Sequence, residues 1–306
     1  MHEGSKKAIF AAFLANLGIA IAKVIGFAFT RSSGMLAEAA HSLADTGNQA
    51  LLLFGSRRAR RKADRNNPFG YGRERYFWSF IVALVLFSMG GLFALYEGIQ
   101  KLAHPHETHR LGVAIAILGI AVALESYSLM TAMKEVRHVK PAGMSLWGFI
   151  RHTRSPELPV VVLEDIGAEI GLVLALAGVL LSHFTHNPRW DSIASVLIGV
   201  LLTVIALILA TEMKSSLMGE TATDESEERI RSAAAAHPLV RKVIHLKTQH
   251  IGPDELIVGL KVEFDHSLTM SQLAEAIDAV EVVVRAAEPT AVTIYLEPDI
   301  DRSGND

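Results

Sequence analysis

Between Ile193 and Thr211 the chain carries no charged residue, and most positions are aliphatic. A run of about 20 such residues forms a helix long enough to cross the hydrocarbon core of a bilayer. Five earlier runs resemble it, so the candidate spans are 9–30, 34–56, 76–100, 111–133, 159–183 and 192–213. Composition agrees: the chain is 50% hydrophobic but only 7% aromatic, so Ala, Leu, Ile and Val make up the excess. That is too apolar for an ordinary soluble domain of 306 residues. The stretch 144–150 is apolar but too short to span. The first run, from Ile9 to Thr30, is longer than a signal-peptide core and lacks a convincing small-residue cleavage site, so it is expected to be a retained span.

Basic residues set the expected orientation. They crowd the N-terminus (Lys6, Lys7), the loop after span two (Arg57 to Arg75) and the loop after span four (Lys134 to Arg154). The opposite loops offer only Arg31, Lys101, Arg110 and Arg189. The positive-inside rule then places both termini in the cytoplasm, beneath a plasma or inner membrane, and an even number of spans agrees. A net charge of -3 supplies no basic field for nucleic acid. Without cysteine the chain has no disulfide, no zinc–thiolate site and no thiol nucleophile.

The expected fold is therefore an α-helical membrane protein, with a six-helix domain over 1–214 and a small cytoplasmic domain over 215–306. In the tail, a polar stretch (Glu220–Glu228) leads into a helix over Ser226–Ala236. Strands follow over Val240–Gln249 and Leu256–Phe264, with Gly252-Pro253-Asp254 as the turn. The second strand alternates Val258, Leu260, Val262 and Phe264 against Ile257, Gly259, Lys261 and Glu263. A helix over Thr269–Ala287, with a start signal at Ser271, Ala274 and Glu275, and a strand over Ala291–Leu296 complete an α-β-β-α-β order. That order is α+β, open-faced and ferredoxin-like in pattern.

Ionisable groups within the spans point to function, because an ionised side chain in mid-bilayer costs at least a few kcal/mol. Span two carries Glu38, His41 and Asp45 at spacings of three and four, on one helix face. Span five carries Glu164, Asp165 and Glu169. Asp165 and Glu169 share a face, and Glu164 points about 100° away. The two helices run in opposite directions, so Asp165 is expected level with His41, Glu169 with Glu38, and Val161 with Asp45. Imidazole and carboxylate together suit Zn²⁺, and also Fe²⁺, Mn²⁺ or Co²⁺.

The segment Glu38-Ala-Ala-His41-Ser-Leu-Ala-Asp45 resembles the second-span signature of the cation diffusion facilitator family of zinc transporters. Pro68-Phe-Gly-Tyr-Gly-Arg73, Tyr96-Glu-Gly-Ile99 with Pro105, Asp191-Ser-Ile-Ala-Ser195 and Leu217-Met-Gly-Glu220 resemble further family segments in the same order. The resemblance covers almost the whole chain. It implies a homodimer in the lipid bilayer that exports a divalent metal, zinc first, in exchange for protons by alternating access. It also implies a metal site of His41, Asp45 and Asp165. The family's fourth ligand, a histidine four residues before the span-five Asp, is here Val161. The Glu164-Asp165 pair resembles the branch that includes eukaryotic mitochondrial zinc transporters. Glu169, on the Asp165 face, is the preferred replacement ligand and Glu164 the second choice. Such an oxygen-rich site would tolerate Mn²⁺ or Fe²⁺ better than a two-histidine one, and Cd²⁺ is a further competitor.

Other candidates are Asp64 with Asn67 as a loop metal site, and His237, His245, His250, His266, Asp265, Glu297 and Asp299 as tail ligands. His104, His106 and His109 lie in an outer loop, while Asn16, Lys23, Glu125 and Tyr127 are polar positions in spans one and four. A solvated loop facing lipid headgroups explains Asp64 and Asn67 better, and a metal-free dimerisation domain with surface histidines explains the tail residues better, while a solvated loop or polar packing explains the others equally well. Competing functions are a Mn²⁺- or Fe²⁺-preferring exporter, a metal sensor that does not transport, and a carrier for another cation. An intramembrane metalloprotease would need a His-Glu-x-x-His motif, which the sequence lacks, so no enzyme is expected.

Overall fold

Helix lengths follow the apolar runs. The computed structural model describes residues 33–104, 111–141, 143–153 and 155–302, together with scattered positions between 13 and 28. The expected first span therefore falls largely outside the described residues. The side chains of residues 33–41 also fall outside them. The helices are α1 (Ser33–Arg58), α2 (Glu74–Ala103), α3 (Leu111–Val139), the short α4 (Leu146–His152), α5 (Glu157–Thr185) and α6 (Arg189–Met218). Apart from α4, they have 26 to 30 residues, which at about 1.5 Å per residue exceeds a hydrocarbon core of about 30 Å. Helices α2 and α6 are long and apolar enough to cross a membrane. The stretch judged too short to span becomes α4, capped by Ser145, whose hydroxyl accepts the Gly148 N–H at 2.9 Å.

Glycines set how closely these helices approach. A Cβ on Gly91 would lie 2.5 Å from Thr203 Oγ1, one on Gly98 would lie 2.7 Å from Val196 N, and one on Gly199 would lie 2.6 Å from Leu95 N. Helices α2 and α6 therefore meet backbone to backbone. Gly178 of α5 lies against Ala194 and the Trp190 carbonyl of α6, and Gly167 of α5 lies against the Ile205 side chain. Small residues permit such contact where lipid removes the hydrophobic drive for association. Leu52, Val82, Val160, Leu202, Ile205 and Leu209 join α1, α2, α5 and α6 in one apolar cluster. Helix α3 runs against α5.

Span three is not the plain helix its apolar run suggests. Over Leu86–Leu92 it widens into a π-helical stretch. Ser88 Oγ donates back to the Leu84 carbonyl at 2.8 Å, and Gly90-Gly91 follows. A hydroxyl that competes for carbonyls, next to residues with little preference for α geometry, favours such a widening.

The chain forms two compact units: Met1–Arg58 with Arg75–Lys214, and Ala59–Glu74 with Ser215–Asp306. The loop between α1 and α2 thus groups with the tail. Gly219, at φ +91°, ends α6 in a conformation open to glycine. The tail then forms α7 (Asp224–Ala235), β1 (Val240–Gly252), β2 (Glu255–Phe264), α8 (Met270–Ala287) and β3 (Ala291–Pro298). Strand β2 is central, antiparallel to β1 (His250 opposite Leu256) and parallel to β3 (Val258 opposite Ile294). Its alternate residues Leu256, Val258, Leu260, Val262 and Phe264 are buried, and Ile230 of α7 with Val280 and Val284 of α8 belong to the same core. Helix α8 starts earlier than Ser271. The Thr269 hydroxyl accepts the Gln272 N–H, and the Gln272 side chain accepts the Thr269 N–H at 2.9 Å, closing a capping box.

Candidate metal-transport site

Helices α1 and α5 bring the acids of the second and fifth spans together. Asp45 on α1 lies within electrostatic reach of both Glu164 and Asp165 on α5. Glu164 and Asp165 are both buried, at 8% and 6% exposure. Being adjacent on a helix, they diverge by about 100°, and each finds a different neighbour. Asn48 of α1 donates its Nδ2 to Glu164 Oε1 at 2.7 Å. Ser128 of α3 donates to Asp165 Oδ2 at 3.0 Å, and Glu125 acts on Asp165 through its charge.

Glu169 is placed differently. Ser126 of α3 donates to its Oε1 at 2.9 Å, while its Oε2 is buried with no hydrogen-bond partner among the described residues. Of these two glutamates, Glu164 is the acid of α5 on which Asp45 acts, while Glu169 meets α3. Val161 packs within the apolar clusters. His41 and Glu38 are placed only as backbone positions of α1. Among the described residues, no three His, Asp or Glu side chains close into a metal cage. Near Asp45 stand the carboxyl groups of Glu164 and Asp165, and carboxylate oxygens suit hard and borderline divalent cations.

Two parts of this region were missed in the sequence. Asn48 continues the His41, Asp45 face at a spacing of three, a signal that reading only ionisable residues passes over. Arg75 looks like one more basic loop residue. It instead forms a bidentate ion pair with Glu157, from Nε to Oε1 at 2.5 Å and from Nη2 to Oε2 at 2.8 Å, joining the starts of α2 and α5.

The weaker candidates have structural work. Asp64 Oδ1 accepts the N–H groups of Asn66 (2.9 Å) and Asn67 (2.8 Å), and its Oδ2 accepts the Tyr71 hydroxyl (2.6 Å). Arg61 lies over the Tyr71 ring at 4.7 Å. The Tyr71 hydroxyl foremost, then the loop N–H groups, hold the Asp64 carboxyl below its ordinary value. In the tail, Lys261 binds Glu297 (3.2 Å) and Asp299 (3.0 Å), and His266 meets Glu263 at 3.0 Å. Asp265 accepts from Ser267 and Arg241, Ser267 foremost, which holds it at about 2. Tyr127 is exposed. Lys23, His106 and His109 lie outside the described residues.

Long helices with carboxyl groups facing one another in their core, followed by a small α+β domain, define a polytopic membrane protein with a polar intramembrane centre. The cation efflux transmembrane domain matches residues 9–218, and the cytoplasmic domain of cation efflux proteins matches residues 222–299. The chain belongs to the cation efflux family, whose members are the cation diffusion facilitators. The mitochondrial proton-coupled zinc antiporter SLC30A9 of Xenopus laevis is 32% identical over 86% of this chain and 47% of its own length. Metal tolerance protein C4 of Arabidopsis thaliana is 29% identical over 88% and 59%. The magnetosome protein MamM of Magnetospirillum gryphiswaldense is 25% identical over 83% and 75%. The chain spans about half the length of the zinc antiporters it matches.

Proposed function

We propose that this protein exports a divalent metal ion, zinc first, from the cytoplasm in exchange for protons. The observation that carries this reading is that Asp45 of α1, half-buried, comes within electrostatic reach of the buried Glu164 and Asp165 of α5. We assign His41, Asp45, Glu164 and Asp165 as the metal ligands, with Glu38 and Glu169 on the outward side of the pathway. In this reading the carboxyl groups of Asp45, Glu164 and Asp165 take up protons when the metal leaves, because a cation binding their oxygens displaces protons. The proton-coupled zinc antiporter among the relatives supports the same exchange. The match to the family's cytoplasmic domain supports a homodimer, and the basic loops support cytoplasmic termini. The acid-rich donor set favours a second reading, in which Mn²⁺ or Fe²⁺ is preferred.

Reconstituted vesicles test the site. His41→Ala and Asp165→Ala are each expected to abolish Zn²⁺ uptake in protein that still inserts and folds. Full transport by either variant would remove the assignment. Competition with Mn²⁺, Fe²⁺, Co²⁺ and Cd²⁺ in the same vesicles ranks the ions.

A further inference from the structure

Asn48 belongs to none of the ligand patterns read from the sequence, yet it is among the most buried polar residues described, at 1% exposure. It follows Asp45 by three residues, so both occupy one face of α1. Its Nδ2 is committed to Glu164 Oε1 at 2.7 Å, which fixes the orientation of the amide. The other amide atom, Oδ1, is buried with no hydrogen-bond partner among the described residues. The two atoms of one amide sit side by side, so this unpaired oxygen lies close to Glu164 Oε1. A buried carbonyl oxygen without a donor is costly, and native interiors rarely keep one. A cation resolves it. Amide oxygens are ordinary ligands for hard divalent ions, and they add a donor atom without adding charge.

We propose that Asn48 Oδ1 is a direct ligand of the transported cation, completing on α1 the donor set begun by Asp45. The assignment rests on the metal-exporter reading and adds a neutral oxygen beside the carboxylates. It accounts for the absence of a second histidine at Val161, since the site gains its further donor from α1 instead of from the preceding turn of α5.

The test separates a ligand from a brace. Zn²⁺ and Mn²⁺ binding to the full-length protein in detergent is measured by titration calorimetry for wild type, Asn48→Leu and Asn48→Asp. Asn48→Leu removes both the oxygen and the N–H donor. Asn48→Asp keeps an oxygen in place and removes only the donor. A ligand role predicts that Asn48→Leu weakens both metals about tenfold or more, while Asn48→Asp binds at least as tightly as wild type. Equal loss in the two variants makes Asn48 only a brace for Glu164 and overturns the proposal, as does wild-type affinity in Asn48→Leu. If Asn48→Leu does not fold, the Asn48→Asp affinity against wild type decides alone. Metal binding by wild type with no effect of Asn48 defeats this inference and leaves the exporter reading standing. No metal binding by wild type defeats both.

Discussion

At the scale of single residues, burial decides which charges matter. Arg75 and Glu157 have side chains only 8% and 6% exposed, so each depends on the other. Removing one partner of a buried ion pair costs about 3–5 kcal/mol, whereas replacing both with apolar groups of similar size is often neutral. Arg75→Met is therefore expected to lower the thermal unfolding temperature sharply in detergent, and Arg75→Met with Glu157→Leu to recover most of the loss. Equal destabilisation by the single and double variants would show that the pair is not the source. The sequence could not reveal this pair, because the two residues lie 82 positions apart and neither sits in a periodic pattern. Asp45, Glu164 and Asp165 were legible because acids in apolar runs stand out. Their partners were not: Asn48, Ser126 and Ser128 carry no charge, and such residues gain meaning only when a neighbouring helix presents a carboxylate.

At the scale of elements, the apolar runs placed the helices well, because spanning a bilayer demands length and apolarity together. The tail was read almost strand for strand, since β2 alternates with a period of two and its buried set, from Leu256 to Phe264, is the apolar set of the sequence. Three things escaped. The π-helical stretch over Leu86–Leu92 arises from contacts between turns, which hydropathy does not register. Thr269 was overlooked as a cap because its partner is Gln272, not an acid. The choice of faces also escaped: periodicity cannot say that α2 turns Gly91 and Gly98 toward α6. These glycines make a prediction. Gly199→Val sets a side chain against Leu95, where a Cβ already lies 2.6 Å from the backbone nitrogen. Overpacking of this kind costs about 1–3 kcal/mol, so the unfolding temperature is expected to fall. An unchanged value would mean that α2 and α6 do not meet there.

At the scale of the whole molecule, the chain combines a helical unit that holds the acids with a second unit in which the Ala59–Glu74 loop joins the α+β tail. The family match covers both parts. What this arrangement does follows from its polar centre. Carboxyl groups close together in a low-dielectric interior can exchange protons for a cation on the same oxygens, and the proposed antiport depends on that exchange. The direct measurement is Zn²⁺-driven proton flux in proteoliposomes that hold the full-length protein and a trapped pH indicator. An imposed Zn²⁺ gradient is predicted to move protons in the opposite direction, and Asp165→Ala is predicted to abolish the flux. Zn²⁺ that crosses without moving protons, or proton flux that persists in Asp165→Ala, would rule out antiport at this site.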